Sequence, residues 1–511
     1  VEVLVTILVN ITVDHSQQAM WLISPLGHSI NPMRRDIGHR IKTRAQKQLQ
    51  KAGREFEAKA IDFADTIFKE MIQLASHHPS SGGKFLRHKQ FKRKHDQLKN
   101  AQMIAPFQAS LTVTLPQGRY DKEIDPFPGA TMTIYEFEEN IEVMSSKAKP
   151  KKLTIKTFCG QKFNLLCKRE KDGDLRKDAR VMEINGIINR LLKKDVEGRR
   201  RKLQLRTYSV ICLNEECGLL EWVPNTKGIR HVLNEAYNYL PNRKNPIVRD
   251  LRRSYEFIQN AYKGDLNKMC EEYLRAFVPM FPPILHRWFL ENFPEPTSWF
   301  EARTMFTRTT ALWSSVGHIL GLGDRHGENV LVDVTSGACV HVDFDCLFDK
   351  GLALNVPEIV PFRLTPNMID GFGITKYEGI FRRVMEIGMK VLRENKTTLL
   401  SVLEAFLQDP TVGWQRLGRA QRLDEPPQPA RGALRQNPSI SVHFAEEAEN
   451  QEAKQTLAMV KGRLDGIYNL AVKPKFGIES TQTTNRRNLQ DELPLSVQGQ
   501  VHRLIQEATS P

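Results

Sequence analysis

Gly321-Leu322-Gly323-Asp324-Arg325-His326-Gly327-Glu328-Asn329, followed by Val340-His341-Val342-Asp343-Phe344, places two acids and an amide in the order that phosphoryl transfer needs. In the D-x-x-x-x-N spacing, Asp324 can take the proton of a hydroxyl nucleophile while Asn329 offers an amide oxygen to magnesium. Val330-Leu331-Val332 and Cys339-Val340-His341-Val342 read as short β runs joined by Thr335-Ser336-Gly337-Ala338, so Asn329 and Asp343 are expected at neighbouring strand ends. One carboxylate, one amide oxygen and nucleotide phosphates make a shell for a hard cation. The spacing alone recurs by chance, and an Asp after a strand is more often a turn residue or a helix cap. The ordered combination with the downstream Asp-Phe carries the reading.

A transfer site also needs a cation on the nucleotide phosphates. Lys168 ends the apolar run Phe163 to Cys167 in the manner of V-A-I-K, the alternative being an edge-strand lysine in solvent. Asp174-Leu175-Arg176-Lys177-Asp178 then leads into Val181, Met182, Ile184, Ile187, Ile188 and Leu191, an amphipathic helix whose first turn offers carboxylates to hold Lys168. Asp178 is the expected partner, with Glu183 second. Neither G-x-G-x-x-G nor G-x-x-x-x-G-K-[ST] lies where a phosphate loop belongs, which disfavours a P-loop NTPase. Ser145-Ser146-Lys147-Ala148-Lys149-Pro150 can cradle phosphates through hydroxyls, N–H groups and lysine charge instead.

The elements that must position these groups follow from patterning. At 511 residues the chain exceeds one ordinary domain and has room for a two-lobed unit of roughly 300 residues with helical flanks. A formal charge of +15 points to an acidic partner, weakly, because the bases are spread widely. Seven cysteines without C-x-x-C argue against zinc ribbons and a disulfide scaffold. Val1 to Val13 is apolar but short and lacks a basic leader, so neither a signal peptide nor a membrane span fits; Val1 in place of Met reads as the start of a fragment.

From Ala19 to Lys99 the pattern is helical, with Ile61, Phe63, Ala64, Ile67, Phe68 and Met71 as an apolar stripe. Ser80-Ser81-Gly82-Gly83 breaks the run, and basic Lys84 to Lys99 reads as a solvated helix face in preference to a nucleic-acid arm. Proline-punctuated loop fills Pro106 to Pro128. Thr131 to Tyr135, Leu153 to Ile155 and Phe163 to Cys167 then read as strands of a small lobe. Helical periodicity dominates beyond Arg230, Gln421 to Ser441 has the composition of a disordered insert, and Ala445 to Leu470 returns to helix. The expected fold class is α+β: a two-lobed kinase-like fold, β-rich N-lobe and mainly helical C-lobe, with flanking α-helical segments.

With Lys151-Lys152, Arg206-Thr207-Tyr208, Glu216-Cys217-Gly218, Glu221-Trp222-Val223, Pro294 to Trp299 and Val356 to Thr365 added to the motifs above, the sequence resembles the phosphatidylinositol-kinase-related protein kinases. The likeness is greatest to their DNA-damage checkpoint branch and runs from about Gln17 to Thr509. The resemblance implies ATP and Mg2+ (or Mn2+) as cofactors. It implies Lys168 on the phosphates, Asp178 and Tyr208 lining the same pocket, and Glu221, Trp222 and Val223 at the adenine, with Ser145 and Ser146 in the phosphate loop. An indole suits purine stacking, its ordinary alternative being core packing. The resemblance further implies Asp324 as the catalytic Asp, His326 as a stabiliser of phosphoryl charge, and Asn329 and Asp343 as metal ligands. His326 follows Asp324, unlike H-R-D, so a backbone-bonded structural histidine is its alternative.

The same resemblance divides the chain into the end of the FAT helical repeats (1–104), N-lobe and hinge (105–223), C-lobe (224–410), a partly disordered regulatory insert (411–490) and a truncated FATC (491–511), without the aromatic end expected there. Asp345 stands where Asp-Phe-Gly has Gly, which makes that backbone less permissive. Implied partners are protein substrates, an ATRIP-type regulatory subunit, activator proteins, and DNA indirectly through single-strand-binding protein. The resemblance implies no membrane, nuclear localisation, and a dimer of heterodimers in the full-length protein.

Two rivals are a lipid kinase and an inert scaffold. Cys346 to Glu358 carries one base, Lys350, against Asp349 and Glu358, whereas an inositol phosphate calls for a basic cluster. The resemblance implies protein Ser/Thr followed by Gln as the target, and Glu358, with Leu352 and Leu354 nearby, is the expected pocket for the amide. Intact Lys168, Asp324, Asn329 and Asp343 argue against the scaffold.

Overall fold

The computed structural model describes residues 1–77, 85–87, 103–114, 125–129, 132–144, 148–170, 175–239, 256, 260, 265–354, 357–407, 438–467 and 494–510. They divide into two compact units, the first formed by 1–186, 207–224 and 405–453 and the second by 187–206, 225–404 and 454–511. Helix and sheet are mixed and the sheets are antiparallel, as the α+β reading expects.

The first unit opens with helices α1 (Glu2–Asp14), α2 (Ser16–Gly27), α3 (Pro32–Lys51) and α4 (Glu55–Ser76). Asn31 caps α3 by accepting from the N–H groups of Met33 and Arg34, and Pro32 occupies the first turn, where a missing N–H costs nothing. The α4 stripe is buried at Ile61, Ala64, Ile67, Phe68 and Met71, as its spacing requires, with Phe63 partly buried. Asp65 gathers His28 (3.1 Å), the residue after α2, Lys69 (2.9 Å) on its own helix α4, and Lys42 on α3.

The His28 contact, followed by those of Lys42 and Lys69, holds the Asp65 carboxyl far below the usual carboxylate range against the opposing effect of burial. A depressed folded pKa stabilises at pH above the unfolded value and is lost as pH falls through the folded one. Asp65→Asn is therefore expected to lower the unfolding midpoint at neutral pH, and the gap from wild type should shrink as pH drops below about 4. A gap that is constant from neutral to acid pH in thermal scans contradicts this.

Strands β1 (Phe85–Arg87), β2 (Ile134–Phe137), β3 (Asn140–Val143), β4 (Lys151–Thr157), β5 (Lys162–Arg169), β6 (Val210–Cys212) and β7 (Cys217–Glu221) form one sheet, ordered β1-β3-β4-β5-β7-β6 with β2 also on β4. The solvated helix expected across Lys84 to Lys99 is overturned at Phe85–Arg87, which pairs with Asn140–Glu142; the rest of that segment lies outside the described residues. Strand pairing is a tertiary outcome that local composition does not encode. Helix α5 (Gln108–Leu111) interrupts the loop region, and α6 (Arg176–Lys194) is the amphipathic helix expected after Lys168.

The sheet is fixed to α4 by two buried contacts. Lys151, 1% exposed, donates to Ala75 O at 2.9 Å in the last turn of α4, where the helix dipole favours a cation, and Cys167 Sγ donates to Met71 O at 3.3 Å. Because side chains alternate along a strand, turning Leu165 and Cys167 towards α4 turns Lys168 to the other face.

The second unit contains α7 (Val196–Arg200), β8 (Thr226–Gly228), α8 (Ile229–Tyr237), α9 (Leu266–Glu272), α10 (Leu285–Asn292), α11 (Pro296–Leu320), β9 (Val330–Asp333), β10 (Cys339–His341), α12 (Pro366–Gly371), α13 (Ile380–Glu394), α14 (Lys396–Leu407), α15 (Pro438–Asp465) and α16 (Val497–Thr509). Residues 405–407 of α14 and 438–453 of α15 are assigned to the first unit. Buried α11 packs on α13 and β10, and α16 on α13. Helix α15 begins at Pro438, inside the segment read as disordered insert; 421–437 lie outside the described residues. Among the described residues no helix is long and apolar enough to cross a membrane.

Candidate active site

The second unit carries the groups expected to serve phosphoryl transfer. Helix α11 ends at Gly321, left-handed at φ +57°, and the chain enters Gly323–Asn329. Asn329 leads into β9, whose antiparallel partner is β10 with His341 opposite Val330, and Val342 N–H donates to Asn329 O at 3.1 Å. The hairpin puts Asn329 beside the Val342-Asp343 step, as the two β runs predict. Asp333 turns the hairpin by accepting from Thr335 N–H (2.8 Å) and Ser336 N–H (3.0 Å), and Gly337 supplies φ +75°.

Asp324 and Asp343 both have left-handed backbones, φ +57° and +65°. Such conformations persist in non-glycine residues only where surrounding contacts enforce them. The enforcing residue is Arg325, 4% exposed, which donates to Gly323 O (2.9 Å), Val342 O (2.9 Å) and Asp343 O. Asn329 Nδ2 donates to Asp324 O at 3.0 Å, so Asn329 is oriented by its amide nitrogen and its oxygen remains the atom suited to a cation. Phe344 is fully buried against Trp313, ring centroids 5.8 Å apart, with the Arg325 guanidinium 5.6 Å above its ring.

His326 Nδ1 accepts from Glu328 N–H at 3.2 Å, which leaves Nε2 to carry the proton, 4.0 Å from Asp324 Oδ2. Both side chains are about half exposed. The backbone bond foreseen as the structural alternative is thus present, and it aims the donor nitrogen to the side of the base.

Glu358 Oε2 accepts from Asp324 N–H at 2.6 Å, which fixes the base residue through its own amide. A Cβ on Gly323 would come within 2.9 Å of Cys346 Sγ, Glu358 Oε2 and Gly351 Cα. Gly323→Ala is therefore expected to cost about 1–3 kcal/mol of stability and to lower kcat, since the loop or Glu358 must move. Unfolding and initial-rate measurements check it; an alanine variant with wild-type kcat contradicts it.

The first unit carries the groups expected on the nucleotide. Lys168 lies opposite Gly218 on β7, and Leu165 lies opposite Glu221. Three residues of strand, about 10 Å, thus separate the lysine from the Glu221-Trp222-Val223 step, a span that suits one nucleotide from phosphates to base. Lys168 forms an ion pair with Glu170. Glu170 was missed in the sequence, although residues two apart on a strand share a face. Asp178 is buried in the first turn of α6, whereas Glu183 is exposed and pairs with Arg180 at 2.8 Å. Gly218 is required by close approach, since a Cβ there would meet Leu175 Cδ1 and Ile211 O at 2.9 Å.

Trp222 N–H donates to Asn164 O at 3.0 Å, and the Lys152 ammonium stands 4.6 Å from the centre of the Trp222 ring. The Glu221 carboxylate accepts from Gln108 N–H (2.9 Å) and Ser209 N–H (3.0 Å), so its side chain fastens the strand end. Tyr208 and Val223 are buried. Ser145 and Ser146 lie outside the described residues.

The donor set fits magnesium. Among the described residues no cluster of three or more His, Cys, Asp or Glu side chains could cage a metal, and Asn329 with Asp343 supplies two oxygen donors for an ion that nucleotide phosphates complete.

A sheet unit bearing a strand-end lysine and a helical unit bearing the 321–329 loop and the β9–β10 hairpin define a kinase-like fold. Residues 163–416 match the phosphatidylinositol 3- and 4-kinase family and 494–511 the FATC domain. The chain is 39% identical over 519 aligned residues to the serine/threonine-protein kinase ATR of Oryza sativa subsp. indica and 38% over 513 to that of Arabidopsis thaliana, covering 99% of this chain and 17% of each relative. Protein kinase rad3 of Schizosaccharomyces pombe is 38% identical over 413 residues, 80% of this chain and 15% of its own length. Two solved structures of CtTel1, one of its open conformation and one of a complete dimer with C2 symmetry, each superpose with a TM-score of 0.73 at 27% and 28% identity, covering all of this chain and 17% of theirs. The chain belongs to the phosphatidylinositol-kinase-related protein kinases. It spans about one sixth of the length of the curated relatives it matches.

Proposed function

We propose that this protein is a serine/threonine kinase that moves the γ-phosphoryl group of ATP to protein hydroxyls followed by Gln, in DNA-damage and replication-stress signalling in the nucleus. The observation that carries the reading is the Arg325-stapled loop, which holds Asp324 and Asp343 in left-handed conformations that cost strain, while Asn329 is oriented by its bond to Asp324 O. Asp324 takes the hydroxyl proton as the oxygen bonds to phosphorus and the bond to the ADP oxygen breaks. His326 donates from Nε2 to a phosphoryl oxygen. Asn329 and Asp343 hold Mg2+, which when bound neutralises phosphate charge. Lys168, positioned by Glu170, contacts the phosphates, with Asp178 and Tyr208 in the same pocket and Trp222 and Val223 at the base.

Glu358, with Leu352 and Leu354, reads the Gln amide. Because one of its oxygens also holds Asp324 N–H, Glu358→Ala is expected to lose both Gln preference and turnover. A variant that keeps wild-type preference on a peptide panel removes Glu358 from the pocket. An ATRIP-type subunit, activator proteins, DNA reached through single-strand-binding protein, and dimerisation of the kind the CtTel1 structure displays complete the proposal.

The test is transfer from radiolabelled ATP with magnesium by the full-length protein and its subunit. Acceptors are a Ser-Gln peptide, its Ser-Ala counterpart and phosphatidylinositol vesicles. Label on the Ser-Gln peptide that is lost in Asp324→Asn is the expected result. Label on lipid in place of peptide, or on neither, overturns it.

A further inference from the structure

Helix α15 places one cation against the segment that follows the metal-binding Asp343. Arg463 Nη2 contacts both carboxylate oxygens of Asp349, at 2.8 and 2.6 Å, and both side chains are largely shielded from solvent. Asp349 has a left-handed backbone, φ +60°, and its N–H donates to Gly321 O at 3.0 Å. Phe348 N–H donates to Leu320 O (2.9 Å) and Gly323 N–H to Cys346 O (2.8 Å), so residues 346–349 are laced to the entrance of the base loop. A Cβ on Gly321 would meet Asp349 N and Oδ1 at 2.6 Å and Arg463 Nη1 at 2.9 Å. Loop, segment and guanidinium therefore converge on one glycine that no side chain can replace.

The other end of Arg463 is tied to the C-terminal helix. Gln500 Nε2 on α16 donates to Arg463 O at 2.8 Å, and Arg393 on α13 donates to Gln500 Oε1 (3.1 Å) and Leu495 O (2.9 Å). Lys396 pairs with Asp465 at 2.6 Å, which holds the same end of α15. Arg463 thus touches the segment through its side chain and α16 through its backbone. An activation segment needs its ends fixed for the base and metal ligands to keep their geometry, and misplacement of about 1 Å costs roughly 10²-fold in rate.

We propose that Arg463 is a positioning residue for phosphoryl transfer: by clamping Asp349 it fixes the activation segment and the base loop, and it makes their order depend on the seating of α16. This rests on the kinase reading above. The pair lies outside the groups that touch nucleotide or hydroxyl, so its loss acts on turnover and not on nucleotide affinity.

The experiment uses the full-length protein with its subunit and compares wild type with Arg463→Ala, Asp349→Ala, the double alanine variant, Arg463→Lys and the exchange Arg463→Asp with Asp349→Arg. Expected are a drop of about tenfold in kcat for either alanine variant, an ATP KM within about twofold, and a double variant no worse than either single one. Arg463→Lys keeps the charge on a single nitrogen but not the planar guanidinium and should recover part of kcat, and the exchange should recover more than either of its halves. Hydrogen exchange at the 346–354 amides gives a readout independent of catalysis: it should quicken in Arg463→Ala and return toward wild type in the exchange. Additive kcat losses, or unchanged exchange at 346–354 in Arg463→Ala, overturn the proposal. Wild-type protein that transfers no phosphate overturns the kinase reading, and the amide exchange then still decides whether Arg463 orders the segment. If Arg463→Ala fails to fold, Arg463→Lys and the exchange carry the test.

Discussion

Asp324→Asn is expected to lower kcat by about 10²- to 10⁴-fold, roughly 3 to 5 kcal/mol of transition-state stabilisation, while ATP binds as in wild type. The substitution isolates chemistry for two reasons. Asn is among the few residues that tolerate the left-handed backbone found at Asp324, φ +57°, so the loop keeps its shape. The carboxylate is also half exposed, so its replacement disturbs no packing. The contacts that define the loop, Glu358 to the Asp324 amide and Asn329 Nδ2 to the Asp324 carbonyl, involve only backbone atoms of Asp324 and survive. Single-turnover transfer and equilibrium nucleotide binding, measured side by side, check it. An Asn variant within about threefold of wild-type kcat refutes Asp324 as the base.

Arg325→Met has the second-largest expected effect and acts by a different route. Methionine fills the volume of the arginine stem but donates nothing, so Gly323 O, Val342 O and Asp343 O lose their shared donor in a buried place. The cost is about 2–4 kcal/mol in stability, and kcat should fall roughly 10²-fold as the left-handed conformations of Asp324 and Asp343 relax. Arg325→Lys should recover little, because one ammonium cannot reach three carbonyls held in a planar fork. Thermal unfolding and kcat report the two effects separately. Loss of stability with kcat intact would show that Arg325 serves the fold alone.

The acid and amide spacing was readable because each feature is local. Asp324 and Asn329 are five residues apart in one loop, and the turn from Asp333 to Gly337 follows from residues that favour turns. The apolar run Phe163 to Cys167 was readable as a strand ending at Lys168. Failures came where a distant segment supplied the partner. Phe85–Arg87 is a strand because β3 pairs with it, and basic local composition could not reveal that. Lys168 also pairs with Glu170, just past the end of its own strand, a carboxylate the sequence reading passed over in favour of those on the following helix.

By itself, then, the sequence determined which residues are candidates for the chemistry: the proposed base, metal ligands and phosphate cation, and the elements that bear them, follow from residue types at fixed local spacings. The tertiary structure alone decided how those groups are held. Glu358 meets the Asp324 amide across 34 residues, and Arg463 meets Asp349 across 114. Arg325, beside the base in sequence, acts on carbonyls 17 and 18 residues away. Such contacts join backbone atoms and buried charges brought together by folding, and backbone groups are common to every residue, so no pattern of side chains announces them.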